Sequence, residues 1–210
     1  MLDSSRNIAL ACALSALAGY VDGIGYLHLG GLFVSFMSGN STRMGVSLAE
    51  GQFRGAAEAF GLIALFVLGA AVGSLIVLAR SQWWVLLTEA VLLFGAGLCH
   101  MMGLPGFAVA TIVLAMGLEN AVFQIEGGSG LGLTYVTGAL VKVGQLVAAA
   151  LTGGKRFAWV PNLMLWGALV GGSACGALAY QRLSLGAIWF AAAAAFALSI
   201  STAVEEARRH

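Results

Sequence analysis

From residue 6 to residue 204 the chain is a succession of apolar stretches, each near the length needed to cross a hydrocarbon layer of roughly 30 Å, interrupted only by Gly, Pro or charge. Eight can be marked, at about 6–28, 31–49, 55–79, 83–102, 105–125, 131–151, 158–180 and 184–204. Nothing between them is long enough for a water-soluble domain. Only 9% of the 210 residues are charged and 60% are apolar, whereas a soluble domain carries roughly a quarter charged residues. The expectation is one integral membrane domain over residues 1–210. Lipid admits only helices or closed barrels, because backbone N–H and C=O groups must find partners inside the chain. Long Leu, Ala and Gly runs without two-residue alternation exclude a barrel. The fold class is therefore all-α: a polytopic helical membrane protein of six to eight membrane segments. The N-terminal apolar run is too long for a cleaved signal and reads as a retained first span.

The net charge is +1 and the basic residues are scattered, so no polybasic surface suggests nucleic acid. Cys12, Cys99 and Cys175 sit in separate apolar segments without metal-ligand spacing and read as small buried hydrophobes. His28 and His100, each at a segment end, read as interfacial groups. No metal and no cofactor is expected. Trp83, Trp84, Trp159 and Trp166 suit an aromatic belt at headgroup level, and Arg54 with Glu58 reads as an interfacial pair. Glu89 lies within an apolar run, where burial would suit proton coupling; its closeness to "RSQWW" makes an interfacial Glu89 near Arg80 the expectation. The bias of Lys and Arg among the short loops places both termini on the cytoplasmic side, whether or not segments two and six cross fully.

Segments two and six carry polar groups that a lipid-facing helix would not tolerate, so they are expected to be broken or re-entrant. They also resemble each other. "GLFVSFMSGNSTRMG" (Gly31 to Gly45) matches "GLGLTYVTGALVKVG" (Gly130 to Gly144) without a gap, 99 positions apart. "GYVD" (Gly19 to Asp22) faces "GLEN" (Gly117 to Asn120) with one residue inserted, and Gly69-x3-Gly73 faces Gly172-x3-Gly176. Two pseudo-symmetric halves follow, about 1–102 and 103–204: parallel repeats if each has four spans, inverted if each has three. The small-xxx-small pairs should permit close helix contact, within the chain or between protomers of a homo-oligomer.

Within the matched segments, Gly39 and Gly138 permit a helix break, and Ser38 and Thr137 before them are suited to capping free N–H groups. A helix restarting near Asn40 or Ala139 would aim its N-terminus inward, with Arg43 or Lys142 in the first turn. A cation inside a membrane costs at least about 2.5–3.5 kcal/mol on insertion scales, so each should find a partner. Asp22 and Glu119 are the expected ones. Asn40, Asn120 and Gln124 either line a path or bond between helices. The plainer alternative sets Arg43 and Lys142 near an interface, snorkelling or pairing only to hold helices together. An intramembrane serine hydrolase is disfavoured, because Phe36 stands where its G-x-S-G motif needs Gly and no His lies in an obvious partner helix.

"AGYVDGIGYLHLGGLFVSFMSGNSTRMG" (Ala18 to Gly45) closely resembles the opening of the YoaK-like bacterial membrane proteins, and the likeness extends to "GLENAVFQ" and "TYVTGALVKVG". The pattern positions are Gly19, Asp22, Gly31, Ser38, Gly39, Asn40 and Gly45, then Thr137, Gly138 and Gly144; Ser38 stands where Thr is usual and keeps the hydroxyl. The resemblance implies a bacterial inner-membrane protein of about six or more helices and no particular activity. The residues themselves lead to a non-enzymatic permease or channel for a small polar or anionic solute. Its pathway would comprise Asp22, Ser38, Gly39, Asn40, Arg43, Glu119, Asn120, Gln124, Thr137, Gly138 and Lys142, and proton coupling is compatible with it. The alternative is a non-transporting scaffold or accessory subunit whose polar motifs are structural.

Overall fold

The computed structural model describes residues 5–123 and 136–208, with side chains described for 7–122 and 136–208. All regular structure there is helical. The elements are α1 (Ser5–His28), α2 (Met37–Ala49), α3 (Phe53–Ala79), α4 (Gln82–Met101), α5 (Pro105–Glu119), α6 (Val136–Leu151), α7 (Val160–Leu183) and α8 (Ile188–Ala207). One 3-10 turn, Asn120–Phe123, follows α5, and another, Ser184–Ala187, joins α7 to α8.

Five apolar helical stretches are long enough to cross a membrane. The last, Val160–Ala207, has 48 residues, about 72 Å at 1.5 Å per residue and more than twice a hydrocarbon layer. It holds two helices, α7 and α8, parted where Ser184 takes φ 50°. Six helical stretches therefore have spanning length: α1, α3, α4, α5 together with its 3-10 turn (Pro105–Val122, 18 residues), α7 and α8. Among the described residues the other two are shorter, the 13 residues of α2 and 16 of α6 reaching only about 20 and 24 Å.

Contacts fix the directions of the spans. Ser15 Oγ donates to the Leu165 carbonyl at 3.0 Å and Ser173 Oγ to the Gly19 carbonyl at 3.1 Å, while Gly19 abuts Leu169 and Gly23 abuts Ser173. These pairs climb together, so α1 and α7 are parallel. Gly69 against Leu114 and Gly73 against Leu118 make α3 and α5 parallel in the same way. Helices α4 and α8 run oppositely, since Ser199 Oγ bonds the Trp83 carbonyl at 3.1 Å while Trp189 packs on Phe94 and Gly97. His28 and Leu29 at the end of α1 share a cleft with Ala57 and Glu58 at the start of α3 and with Pro105 at the start of α5. α3 and α5 thus begin where α1 stops.

Glycine makes the two parallel pairs possible. A β-carbon on Gly19, Gly172 or Gly176 would collide with the backbone carbonyl of Leu169, Ala16 or Tyr20; one on Gly69, Gly73 or Gly117 would collide with that of Leu114, Leu118 or Phe66. The small-residue contacts expected from the sequence are thus made within the chain, backbone against backbone. Buried Leu, Ile, Val and Ala fill the centre, including Leu93, Ile112, Met116 and Ile188. Leu75, Leu78, Phe107, Leu151 and Phe190 stand exposed on outer faces, as a bilayer-facing surface requires. Trp83 stacks on Trp84 at 4.2 Å, and the Arg80 guanidinium lies 5.6 Å from the Trp84 ring, marking one end of the bundle as interfacial.

Segment two is re-entrant. After His28 the chain turns through Gly30 (φ 62°) and Gly31 (φ 102°), conformations only glycine adopts without strain. It then descends along α1 until Val34 and Ser35 lie against Asp22. Asp22 is six residues, about 9 Å, inside the end of α1. From there α2 returns to the side on which α1 ended, and α3 begins. The first part of segment six, 131–135, lies outside the described residues.

Leucine at Gly176 or Gly73 should disrupt the parallel pairs, lowering the thermal midpoint in detergent and the folded yield by the equivalent of about 1–3 kcal/mol or more. Leucine at Gly167, where nothing lies within 4 Å of an added β-carbon, should change little. Fluorescence-detected size exclusion with heating checks the contrast.

Candidate functional site

A loop lowered into a membrane must satisfy its backbone, since each unpaired N–H or C=O there costs several kcal/mol. Asp22 does this for the tip. Its Oδ1 accepts the N–H groups of Val34 and Ser35, both at 2.8 Å, and its Oδ2 accepts the Ser35 hydroxyl at 2.5 Å. Asn40 clamps the other end of the turn: its Oδ1 accepts the Phe33 N–H at 2.9 Å and its Nδ2 donates to the Phe33 carbonyl at 2.7 Å. Asn40 is fully buried and Asp22 only 7% exposed. Both polar side chains are thus engaged with backbone that has no other helical partner.

Beside the loop lies a cavity of about 640 Å³, walled by α1, the loop, α6 and α7. Asp22 and Ser35 supply polar atoms from one side and Thr137 and Ser173 from the other, while Tyr26, Phe33 and Phe36 provide aromatic surface. Phe36 immediately precedes α2, and Val136 and Thr137 are the first described residues of α6. The start of α2, with the partial positive charge of a helix N-terminus, therefore meets the first described turn of α6 at one cavity.

Several expectations need correction. Gly39 does not break the helix. Helix α2 starts at Met37, and Gly39 sits in its first turn because a side chain there would strike the rings of Phe33 and Phe36. The break comes earlier, across Gly30 to Phe36. Gly138 is likewise inside the first turn of α6, buried beside Ala139. Ser38 caps nothing: Phe36 is the N-cap, without a side-chain hydrogen bond, and Ser38 points outward. Thr137 is exposed on the cavity wall.

Arg43 and Lys142 are exposed on α2 and α6, and among the described residues neither pairs with Asp22 or Glu119. The ion pair there is Arg54 with Glu58 at 3.1 Å, between exposed side chains. Asp22 instead accepts three hydrogen bonds from the loop, on both its oxygens. The Arg43 guanidinium and the Tyr26 ring do flank Gly31 from two sides, which puts Arg43 near the cavity rim. Asn120 Nδ2 donates to the Met116 carbonyl at 2.9 Å. Gln124 lies outside the described residues.

Glu89 is not interfacial. It is 0% exposed, two turns inside α4, while Arg80 lies over Trp84 instead. Glu119, 1% exposed, ends α5, which packs against α4. Neither oxygen of either glutamate has a hydrogen-bond partner among the described residues. Sequence reasoning passed over Ser35 and Ser173. Ser35 opens the polar run of segment two, and Ser173 is a single hydroxyl in the glycine-rich stretch of α7.

Among known proteins, the chain is 37% identical over 197 residues to a UPF0700 transmembrane protein of Rhizobium meliloti (strain 1021), covering 93% of this chain and 86% of that one. No solved structure matches it. The model of the family described as "Protein of unknown function (DUF1275)" matches residues 10–201. With nearly the whole chain covered by that match, the protein is a member of the DUF1275 family of membrane proteins.

Proposed function

We propose that this protein is a small permease of the bacterial inner membrane, both termini cytoplasmic, that moves a small polar or anionic solute through the cavity beside the start of α2 and the first described turn of α6. The observation that carries the reading is that cavity: polar atoms, the start of α2 and the side of α6 brought together beside a chain reversal inside the apolar bundle. Discontinuous helices meeting at depth are the usual construction of a membrane solute site. The work is non-covalent, and no catalytic role is assigned.

An inverted repeat of three spans plus one short helix per half supports this reading. Exchange of α1 with α5 and of α7 with α3 carries the contact of Gly19 with Leu169 onto that of Gly117 with Phe66. It carries Gly172 with Ala16 onto Gly69 with Leu114, and Gly176 with Tyr20 onto Gly73 with Leu118. Helices α1 and α5 run oppositely, as do α4 and α8, which is the relation of inverted halves. In this arrangement α2 enters from outside and α6 from inside. The alternating orientation also keeps Arg6, Arg80, Lys155, Arg156, Arg208 and Arg209 cytoplasmic against Arg54 and Arg182 outside. The YoaK-like resemblance agrees with this layout.

The preference for an anion rests on the N-terminus of α2 and on Arg43 beside Gly31; Lys142 is not among the residues that line the cavity. A second reading, a non-transporting scaffold, has one observation in its favour: Asp22 holds the loop with both its oxygens.

Three outcomes test these assignments. In a thermal-shift screen of small polar metabolites, at least one compound should raise the midpoint of wild type, by the equivalent of about 2.7 kcal/mol at one hundred times its dissociation constant. Ala174→Trp, which fills the cavity, should stay folded and lose that shift; a screen with no stabilising compound favours the scaffold. Arg43→Gln should weaken an anionic compound several-fold while Lys142→Gln leaves it nearly unchanged, measured by the same titration. Asp22→Ala should cost about 3 kcal/mol by orphaning loop donors, whereas Asp22→Asn, which keeps an acceptor for both N–H groups, should cost about 1 kcal/mol or less; chemical denaturation in mixed micelles measures both.

A further inference from the structure

Glu89 and Glu119 take no part in the loop or the cavity wall, yet they are the two most deeply buried charged-type side chains of the described bundle. They lie on the packed helices α4 and α5 among buried apolar side chains: Val85, Leu86 and Leu93 of α4, Met116 and Leu118 of α5, and Val122 of the 3-10 turn that follows it. Four carboxyl oxygens are left without a hydrogen-bond donor among the described residues. No Lys, Arg or His of the described residues is paired with them. On the other helices packed here, the charged side chains of α3 (Arg54, Glu58) and the neighbouring Arg80 are exposed at its ends, and Glu205 and Glu206 of α8 lie in its last turns. Asp22 of α1 is buried as well, but the loop donors of Val34 and Ser35 engage it.

Two unpaired carboxylates in such a place are mutually repulsive and unsolvated, a combination natural structures avoid unless a cation neutralises it. A metal cation needs about six oxygens, and the described residues hold no cluster of three His, Cys, Asp or Glu placed to bind one. A proton needs one oxygen. We propose that Glu89 and Glu119 form an intramembrane proton-binding site. Uptake forms an O–H bond on one glutamate oxygen; release returns the proton to the neighbouring carboxyl or to water when the bundle opens. The site itself stands independently of the permease reading, and it supplies that reading with a means of coupling solute movement to a proton gradient.

The test is infrared spectroscopy of the full chain in lipid at neutral pH. Wild type should show a protonated-carboxyl C=O stretching band that shifts in heavy water. Glu89→Gln and Glu119→Gln should each remove part of it, and the double variant most of it, with elution and helicity unchanged because glutamine is an uncharged isostere. Absence of the band in wild type, a measurement that needs no variant, overturns the proposal, as does a band untouched in both folded variants. If the band behaves as expected while no metabolite shifts the thermal midpoint, the proton site stands and the permease reading falls. If a metabolite binds but the band is absent, the reverse holds.

Discussion

The structure depends on a carboxylate that spends its lone pairs on backbone. A chain that turns back inside a bilayer exposes N–H groups to a medium without water, and without replacement partners the turn would unfold into a helix or leave the membrane. Asp22 replaces water for Val34 and Ser35, and Asn40 does so for Phe33. Those bonds hold the start of α2 about 9 Å inside the bundle. The cavity exists because α2 starts there and not at the surface.

Glycine is the complementary constraint. The loop can lie against α1 only because Gly25 leaves room for Val34, and α1 can meet α7 only through Gly19, Gly172 and Gly176. The same economy joins α3 to α5. Without water to drive helices together, close backbone approach and hydrogen bonds such as Ser173 to Gly19 supply the attraction. The bundle is built from two such pairs bridged by α4 and α8, and its buried carboxyls lie where the bridge meets the pairs.

Most of the fold was legible in the sequence. Apolar run lengths set the helices to within a few residues, and the polar crowding of Ser35 to Gly45 marked the re-entrant segment. The Gly-x3-Gly pairs named the helix contacts. Legibility failed where several residues compete for one role. Gly30, Gly31 and Gly39 all permit a break, and only packing decides: the first two take left-handed angles while Gly39 accommodates two phenyl rings. Arg43 looked like the partner of Asp22 because charge pairing is the simplest solution in a list of letters. The loop's own N–H groups, invisible in such a list, took the carboxylate instead. Glu89 was misplaced for a related reason, since distance from an Arg along the chain says nothing about which helix face turns inward.

The proposal of a water-accessible solute cavity beside the start of α2 and the first described turn of α6 is tested most directly by thiol accessibility. In a chain freed of Cys12, Cys99 and Cys175, single cysteines at Phe36 and Thr137 should react with a small membrane-impermeant thiol reagent in intact proteoliposomes, while cysteines at lipid-facing Leu75 and Val91 should not. Failure of Phe36→Cys and Thr137→Cys to react, with a surface cysteine labelled normally in the same vesicles, would contradict the account.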